Sequence, residues 1–183
     1  LVFPHHENEI AQSESYVGSE PMSRYWVHNG LLRLGSGKMS KSDGNLVTVK
    51  DALQNHSADE LRLFFLSAHY RSPLSYTEEG VGAQTRAVER LRNAVRSRSP
   101  GDSSYAVEIC DFKKRFIFAM DDDLNTPRAI AVLFDLSRHI NKGIVNGYNV
   151  VQAQDALQEL CSVLGLTLAE PIFNGEPEFF PLI

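Results

Sequence analysis

Residues 35–45 read Gly-Ser-Gly-Lys-Met-Ser-Lys-Ser-Asp-Gly-Asn, and this stretch says most about the fold. Two lysines, Lys38 and Lys41, stand three positions apart between glycines, with the hydroxyl of Ser40 between them. Glycine tolerates backbone angles that other residues resist, so such a loop can close over a ligand. Ammonium groups stabilise the charge that builds on phosphate oxygens. We therefore predict a loop that binds the triphosphate of a nucleotide through Lys38, Ser40 and Lys41, with the two lysines as catalytic residues.

Other interpretations of this loop are weaker. A solvated lysine-serine hairpin tip has the same composition, but residues 25–34 before it are aromatic and apolar without a helical stripe, which predicts a strand leading into the loop. A Walker phosphate loop would need glycine at position 32 and serine or threonine at position 39. The chain has Leu32 and Met39 there, so that motif is excluded.

Helices are predicted on both sides of the loop. Pro4 suits the first turn of a helix that we expect to end near residue 15. After the loop, Thr48 and Ser57 are predicted amino-terminal caps, and another helix is expected to start near Thr77. Residues 97–104 are rich in serine, proline and glycine and predict a linker. The predicted apolar stripes are Leu61, Phe64, Phe65 and Ala68; Val81, Val88, Leu91 and Val95; Ile109, Phe112, Phe116, Ile117 and Met120; Ile130, Leu133, Phe134 and Ile140; and Ala153, Leu157, Leu160 and Leu164.

Composition predicts a cytoplasmic globular protein, with 43% hydrophobic and 22% charged residues. The two cysteines, Cys110 and Cys161, lie within predicted helices and are expected in the core, reduced. No apolar run approaches the roughly 20 residues that cross a bilayer, so no membrane partner is expected. A net charge of −5 gives no overall attraction to nucleic acid. The chain starts without methionine inside a dense motif, so we expect a truncated piece of a longer protein.

Some charged residues have two interpretations. The arginines between positions 86 and 98 could contact the phosphates of a nucleic acid, but a solvated helix face is the better interpretation. The acidic run at 121–123 lacks the glycine and glutamate of an EF-hand and predicts a solvated junction before a helix capped by Thr126. His28 could line an active site or be a hydrogen-bonded histidine beside the core.

His5 and Glu9 are four positions apart in the first predicted helix. They would share a helix face and could offer one nitrogen and one oxygen ligand to zinc. Two ligands are too few for a tetrahedral site, so the pattern alone is more typical of a polar helix start.

Several blocks together resemble a known family. Lys-Met-Ser-Lys-Ser at 38–42 is the signature of class I aminoacyl-tRNA synthetases. Phe-Pro-His-His-Glu-Asn-Glu-Ile-Ala-Gln-Ser at 3–13, Tyr-Trp-Val-His-Asn-Gly at 25–30 and Tyr-Arg-Ser-Pro-Leu-Ser-Tyr at 70–76 are similar to the cysteinyl-tRNA synthetases. Met-Asp-Asp-Asp-Leu-Asn-Thr-Pro at 120–127 is similar to the helical domain of that family. The resemblance covers nearly the whole chain.

The resemblance implies a mainly α chain: the C-terminal end of a Rossmann-type α/β catalytic domain followed by an antiparallel helical bundle. We expect residues 1–47 to form the catalytic part, 48–76 a connecting helical segment and 77–183 a bundle of the tRNA-binding type. The chain would lack the N-terminal part of the family's catalytic domain and also the C-terminal end of the full-length protein. We therefore expect the chain alone to be inactive.

The resemblance also implies the chemistry. ATP, with Mg²⁺, and L-cysteine would give cysteinyl-adenylate, which transfers cysteine to tRNA(Cys), and the protein would be a monomer. His5 and Glu9 would bind Zn²⁺ with two cysteines from outside this chain, and the metal would bind the substrate thiolate. Thiolate is a far better zinc ligand than the hydroxyl of serine, which would separate the two amino acids. Two alternatives stay open: a related ligase that joins cysteine to an amino sugar, and a non-catalytic helical fragment that binds RNA or protein.

Overall fold

The computed structural model describes residues 2–34, 37–38, 47–98, 101 and 108–170, with the backbone alone at 37 and 38. These ranges contain seven α-helices and three short strands, so the prediction of a mainly α chain is confirmed. After a π-helical stretch, Val2–His6, the elements are α1 (Glu7–Val17), β1 (Leu32–Leu34), β2 (Gly37–Lys38), α2 (Val49–Asn55), α3 (Ala58–Leu66), β3 (Leu74–Tyr76), α4 (Glu78–Arg96), α5 (Ile109–Asp121), α6 (Thr126–Val145) and α7 (Val151–Val163).

The first helix starts later than predicted. Phe3 has extended backbone angles (φ −118°, ψ 136°), and regular α-helix begins only at Glu7. The helix ends at Gly18, which is left-handed (φ 72°) and donates its N–H to the carbonyl of Glu14. Left-handed backbone favours glycine because it has no Cβ, so Gly18 sets this end.

The strand predicted at 25–34 is wrong for most of its length, because only Leu32–Leu34 forms a strand. Strand β1 lies in the centre of a three-stranded sheet of order β2-β1-β3, antiparallel to β2 and parallel to β3. A strand exists only where a partner strand satisfies its backbone groups, and β3 is three residues long. The aromatic composition of residues 25–31 therefore did not produce a strand.

Helix caps follow the sequence closely. Thr48 and Ser57 each form a capping box with the acidic residue three positions later, and Thr77 accepts a hydrogen bond from the N–H of Gly80. The predicted cap of α6 is one residue off. Asn125 is the cap, with its side-chain oxygen accepting from the N–H of Arg128, while the hydroxyl of Thr126 donates to the carbonyl of Leu66 at 2.8 Å.

The main core joins helices from both sides of the predicted linker. Its fully buried side chains include Leu63 of α3, Leu91 of α4, Leu133 of α6 and Leu157 of α7. A smaller cluster beside the sheet contains Ala52, Leu61, Phe64, Tyr76 and Val81. The predicted linker at 97–104 lies largely outside the described residues, and the three predicted domain ranges stay a prediction.

Three predictions of burial are wrong. Cys110 is exposed because it lies in the first turn of α5, whereas Cys161 is buried as expected. Arg92, expected on the surface, is only 8% exposed because the chain beyond α7 covers it. The stripe residues Phe65 and Ile117 are exposed, since the packed faces of α3 and α5 are narrower than the stripes.

The segment after α7 is fastened between α3 and α4. The carboxylate of Asp59, 3% exposed, accepts hydrogen bonds from the N–H of Thr167 (3.0 Å), its hydroxyl (3.1 Å) and the N–H of Leu168 (2.8 Å). From the other side, the guanidinium of Arg92 donates to the carbonyls of Leu168 and Ala169. In the described part of the chain, none of the helices has the length and apolar character needed to cross a membrane.

Candidate active site

The two predicted zinc ligands lie on either side of the start of α1. His5 belongs to the π-helical stretch and Glu9 to the first turn of α1, and both side chains are exposed. The only hydrogen bond of the Glu9 carboxylate to a described residue comes from the hydroxyl of Ser13, at 3.4 Å. Within the described ranges, no group of three or more histidine, cysteine, aspartate or glutamate side chains could hold a metal. His5 and Glu9 offer exposed nitrogen and oxygen donors of the kinds that zinc binds, and their joint role as zinc ligands stays a prediction.

An aromatic cluster around His6 was missed by the sequence analysis. The ring of His6 stacks on Trp26 with centroids 5.1 Å apart and lies 4.7 Å from the ring of His28. His28 is half-buried and outside the strand. The Nδ1 atom of His6 is buried and has no hydrogen-bond partner among the described residues, which is rare for a buried polar atom. The double histidine was the available signal, but its contact with Trp26 depends on the fold of residues 18–31.

The predicted nucleotide loop is reached through the small sheet. Arg33 of β1 pairs with Lys38 of β2, and Leu34 pairs with Gly37. The backbone of Lys38 therefore lies beside β1, while Ser40, Lys41 and the side chain of Lys38 lie outside the described residues. The predicted joint action of the lysines on phosphate stays a prediction.

Strand β1 is held close to the segment before β3. The N–H of Gly30 donates to the carbonyl of Tyr70 at 2.7 Å, and the N–H of Leu74 donates to the carbonyl of Leu31 at 3.0 Å. A Cβ atom on Gly30 would lie 2.2 Å from the carbonyl oxygen of Ser72. Glycine is required here because of this close approach rather than because of its backbone angles.

An open cavity of about 310 Å³ lies between β1 and helices α2 and α3. Its lining is mainly apolar and includes Leu32, Val47, Leu53, Leu61 and Phe65, together with Arg62 and Thr48. Such a surface does not suit a triphosphate, which needs concentrated donors and positive charge. The cavity therefore neighbours the predicted nucleotide loop in sequence without supplying phosphate ligands.

The arginines of α4 are largely used within the protein. Arg90 lies over the ring of Phe134 at 5.1 Å, Arg92 binds the segment after α7, and Arg96 pairs with Glu170. Arg86, Arg90 and Arg98 of the predicted set are exposed and have no ion pair with a described residue. The choice between a solvated helix face and a contact of these arginines with tRNA phosphates stays a prediction.

Two family models match this chain. The class I (C) tRNA synthetase catalytic domain matches residues 1–86, and the DALR domain matches residues 115–169. A cysteine–tRNA ligase from Dehalococcoides mccartyi is 50% identical over 96% of the chain. The chain belongs to the cysteinyl-tRNA synthetase family.

Other curated relatives of the cysteinyl-tRNA synthetase family give the same match. Cysteine–tRNA ligases from Halalkalibacterium halodurans and Symbiobacterium thermophilum are 45% and 42% identical over 92% and 91% of the chain. The chain spans 39%, 39% and 38% of the length of these three relatives, in the order named. The match to the cysteinyl-tRNA synthetase family therefore covers nearly all of this sequence but only about two fifths of each relative.

Proposed function

We propose that a full-length protein carrying this sequence is an ATP-dependent cysteine–tRNA ligase and that this chain alone is inactive. The observation that carries the proposal is the 50% identity to a cysteine–tRNA ligase over 96% of the chain. Class I synthetases use ATP, and the match of a DALR domain at 115–169 supports tRNA as the second substrate. We place the reaction in the cytoplasm and expect a monomer; a dimer in sedimentation at assay concentration would contradict the latter.

The proposed reaction has two steps. The carboxylate of cysteine attacks the α-phosphate of ATP, which forms cysteinyl-adenylate and releases pyrophosphate. A terminal hydroxyl of tRNA(Cys) then attacks the carbonyl carbon of the adenylate, which gives cysteinyl-tRNA and AMP. Lys38 and Lys41 would stabilise the negative charge of the departing pyrophosphate, with Ser40 as a further ATP contact and Mg²⁺ bound to the nucleotide.

His5 and Glu9 would hold zinc together with two ligands from outside this chain. The support is their exposure at the start of α1 and the absence of a blocking partner among the described residues. Bound there, zinc would stabilise the thiolate of cysteine, which serine cannot match. His5→Ala and Glu9→Gln should each lower the zinc content of the full-length protein, whereas the neighbouring exposed Glu7→Gln should not. Unchanged zinc affinity in the first two variants would overturn their assignment.

The test of the main proposal is cysteine-dependent exchange of pyrophosphate into ATP, followed by cysteine transfer to tRNA(Cys), both with the full-length protein. Lys38→Ala and Lys41→Ala should each slow adenylate formation by about 100-fold, since they act on the transition state. Lys50→Ala, an exposed lysine of α2, is the matched control and should retain full activity.

The open alternatives are outcomes of the same assay. Pyrophosphate exchange without charging of tRNA would favour a ligase that joins cysteine to an amino sugar. Binding of tRNA without either activity would favour a non-catalytic binding protein. The relatives named above are cysteine–tRNA ligases, which favours charging.

A further inference from the structure

The turn between α5 and α6 has an unusual backbone. Asp123 and Leu124 are both left-handed, with φ of 53° and 54°. Residues with a Cβ occupy this region at a cost, and two in succession are held there by their surroundings. The N–H of Leu124 donates to the carbonyl of Met120, and the N–H of Asn125 donates to the carbonyl of Ala119, both at 3.0 Å.

Three consecutive residues from outside the bundle bind Asp123. One carboxylate oxygen accepts from the hydroxyl of Tyr70 at 2.7 Å, and the other lies 2.8 Å from Nε of Arg71. The main-chain carbonyl of Asp123 accepts from Nε2 of His69 at 3.0 Å. The side chain of Asp123 is exposed, as the prediction of a solvated junction requires, but the sequence did not predict that this one residue binds three side chains.

The contacting residues are themselves arranged for this role. Nε of Arg71 lies 2.8 Å from the hydroxyl of Tyr70, and its guanidinium lies 5.4 Å from the centre of the tyrosine ring. The ring of His69 stacks on that of Tyr70, with the ring centroids 4.8 Å apart. Nδ1 of His69 accepts from the N–H of Arg71, which leaves Nε2 as the donor to Asp123.

The backbone of the same residues holds the strand that leads to Lys38. The carbonyl of Tyr70 accepts from the N–H of Gly30, and four residues later β3 pairs in parallel with β1. Gly30 packs so closely that a methyl group would overlap the carbonyl of Ser72. On its other edge β1 pairs with Lys38. The hydroxyl of Tyr70 thus binds Asp123, and its carbonyl binds Gly30, two residues before β1.

We propose that Asp123 is a positioning residue: by binding Tyr70 and Arg71 it fixes strand β1, and through β1 the backbone of Lys38, relative to the helical bundle. The reaction that this positioning serves is the adenylate formation of the proposed function, on which the inference rests. Loss of the carboxylate contact would let β1 shift against the bundle. A shift of about 1 Å in a group that acts on the transition state is enough to slow a reaction markedly.

The test compares Asp123→Asn with Asp121→Asn in the full-length protein. Asparagine tolerates left-handed backbone, so Asp123→Asn removes the charged contact without straining the turn. Asp121, the last residue of α5, is exposed and makes no hydrogen bond or ion pair with residues 69–71, which makes it a matched control. Asp123→Asn should lower kcat of cysteine-dependent pyrophosphate exchange by about 10-fold with little change in KM for cysteine, because positioning affects the transition state. Asp121→Asn should match the wild type.

Two further readouts separate positioning from general stability. Amide hydrogen exchange at Gly30 and Leu74, measured by NMR, should be faster in Asp123→Asn than in Asp121→Asn, while both keep the same urea midpoint. Tyr70→Phe should slow kcat in the same way, and its combination with Asp123→Asn should be less than additive.

The outcomes are distinct. Unchanged amide exchange at Gly30 and Leu74, or faster exchange with unchanged kcat, would overturn the inference. A wild-type protein without cysteine-dependent pyrophosphate exchange would overturn the proposed function instead, and the amide exchange would then decide alone whether Asp123 holds β1.

Discussion

The Nε2 atom of His56 lies 2.7 Å from a carboxylate oxygen of Glu78, so the residue that ends α2 is bound to the first turn of α4. His56 is 9% exposed, and its Nδ1 atom faces Glu60 at 3.8 Å. The other oxygen of Glu78 accepts from the hydroxyl of Tyr76 at 2.9 Å. These polar contacts join α2 and α4 next to Tyr76, a member of the smaller cluster beside the sheet.

Glu78 should make stability depend on pH in the acid range. The hydrogen bond with His56, and then that with Tyr76, holds the pKa of Glu78 below its ordinary value of 4.5. A lowered pKa contributes stability above the unfolded value, and that contribution is lost as pH falls through the folded pKa. Urea unfolding at pH 7 and at pH 3 should show a smaller acid loss in Glu78→Gln than in the wild type. Glu79→Gln, exposed on the same turn, should behave like the wild type.

Tyr76 should make stability depend on pH in the alkaline range. Burial, assisted by the hydrogen bond to Glu78, raises the pKa of Tyr76 to about 12. Because the folded pKa lies above the unfolded value of about 10, its contribution is complete below that value and is lost as pH rises through about 12. The absorbance of tyrosinate should show a late step near pH 12 that Tyr76→Phe removes. If the fully exposed variant Tyr16→Phe removed that step instead, the assignment would be wrong.

Gly30 and Gly82 should respond in opposite ways to alanine. A Cβ on Gly30 would lie 2.2 Å from a backbone oxygen, whereas one on Gly82, within α4, would meet nothing within 4 Å. Gly30→Ala should lower the free energy of unfolding by about 2 kcal/mol or more through overpacking. Gly82→Ala should raise it by about 0.5–1 kcal/mol because alanine favours helix. Equal effects in urea unfolding would show that the approach of Ser72 to Gly30 is relaxed in solution.

Asp59 should be the most sensitive acidic residue of the bundle. Its buried carboxylate accepts three hydrogen bonds from Thr167 and Leu168, and each of its two oxygens accepts one of the backbone N–H groups, so the NH₂ group of Asp59→Asn would face a backbone donor in either orientation. We expect a loss of about 2–4 kcal/mol in the free energy of unfolding. Asp155→Asn, exposed on α7, should change it little. A loss below 1 kcal/mol for Asp59→Asn would mean that the segment after α7 contributes little to stability.

Features that depend on neighbouring residues could be predicted from the sequence, whereas features that depend on residues distant in sequence could not. The caps at Thr48 and Ser57 depend on residues three positions away, so the sequence contains the whole interaction. Arg92 has the same helical environment as its neighbours, and its burial depends on Leu168, 76 residues later. The strand at 25–34 failed for the same reason, since its extent is set by β3.

The candidate site shows the same division. His5 and Glu9 were found because their spacing is short and their block resembles a family, whereas the stacking of His6 on Trp26 needed the folded segment between them. The contacts of Asp123 were missed because its partners, Tyr70 and Arg71, lie more than 50 positions earlier.

The main core has a consequence for synthesis of the chain. Leu63 and Leu91 are buried in the same cluster as Leu133 and Leu157, which follow them in sequence. On a ribosome, the first pair emerges while α6 and α7 do not yet exist, so these leucines remain in water at a stage when exposed apolar surface invites aggregation. Helices α6 and α7, which are synthesised last, therefore complete the core in which α3 and α4 bury their leucines.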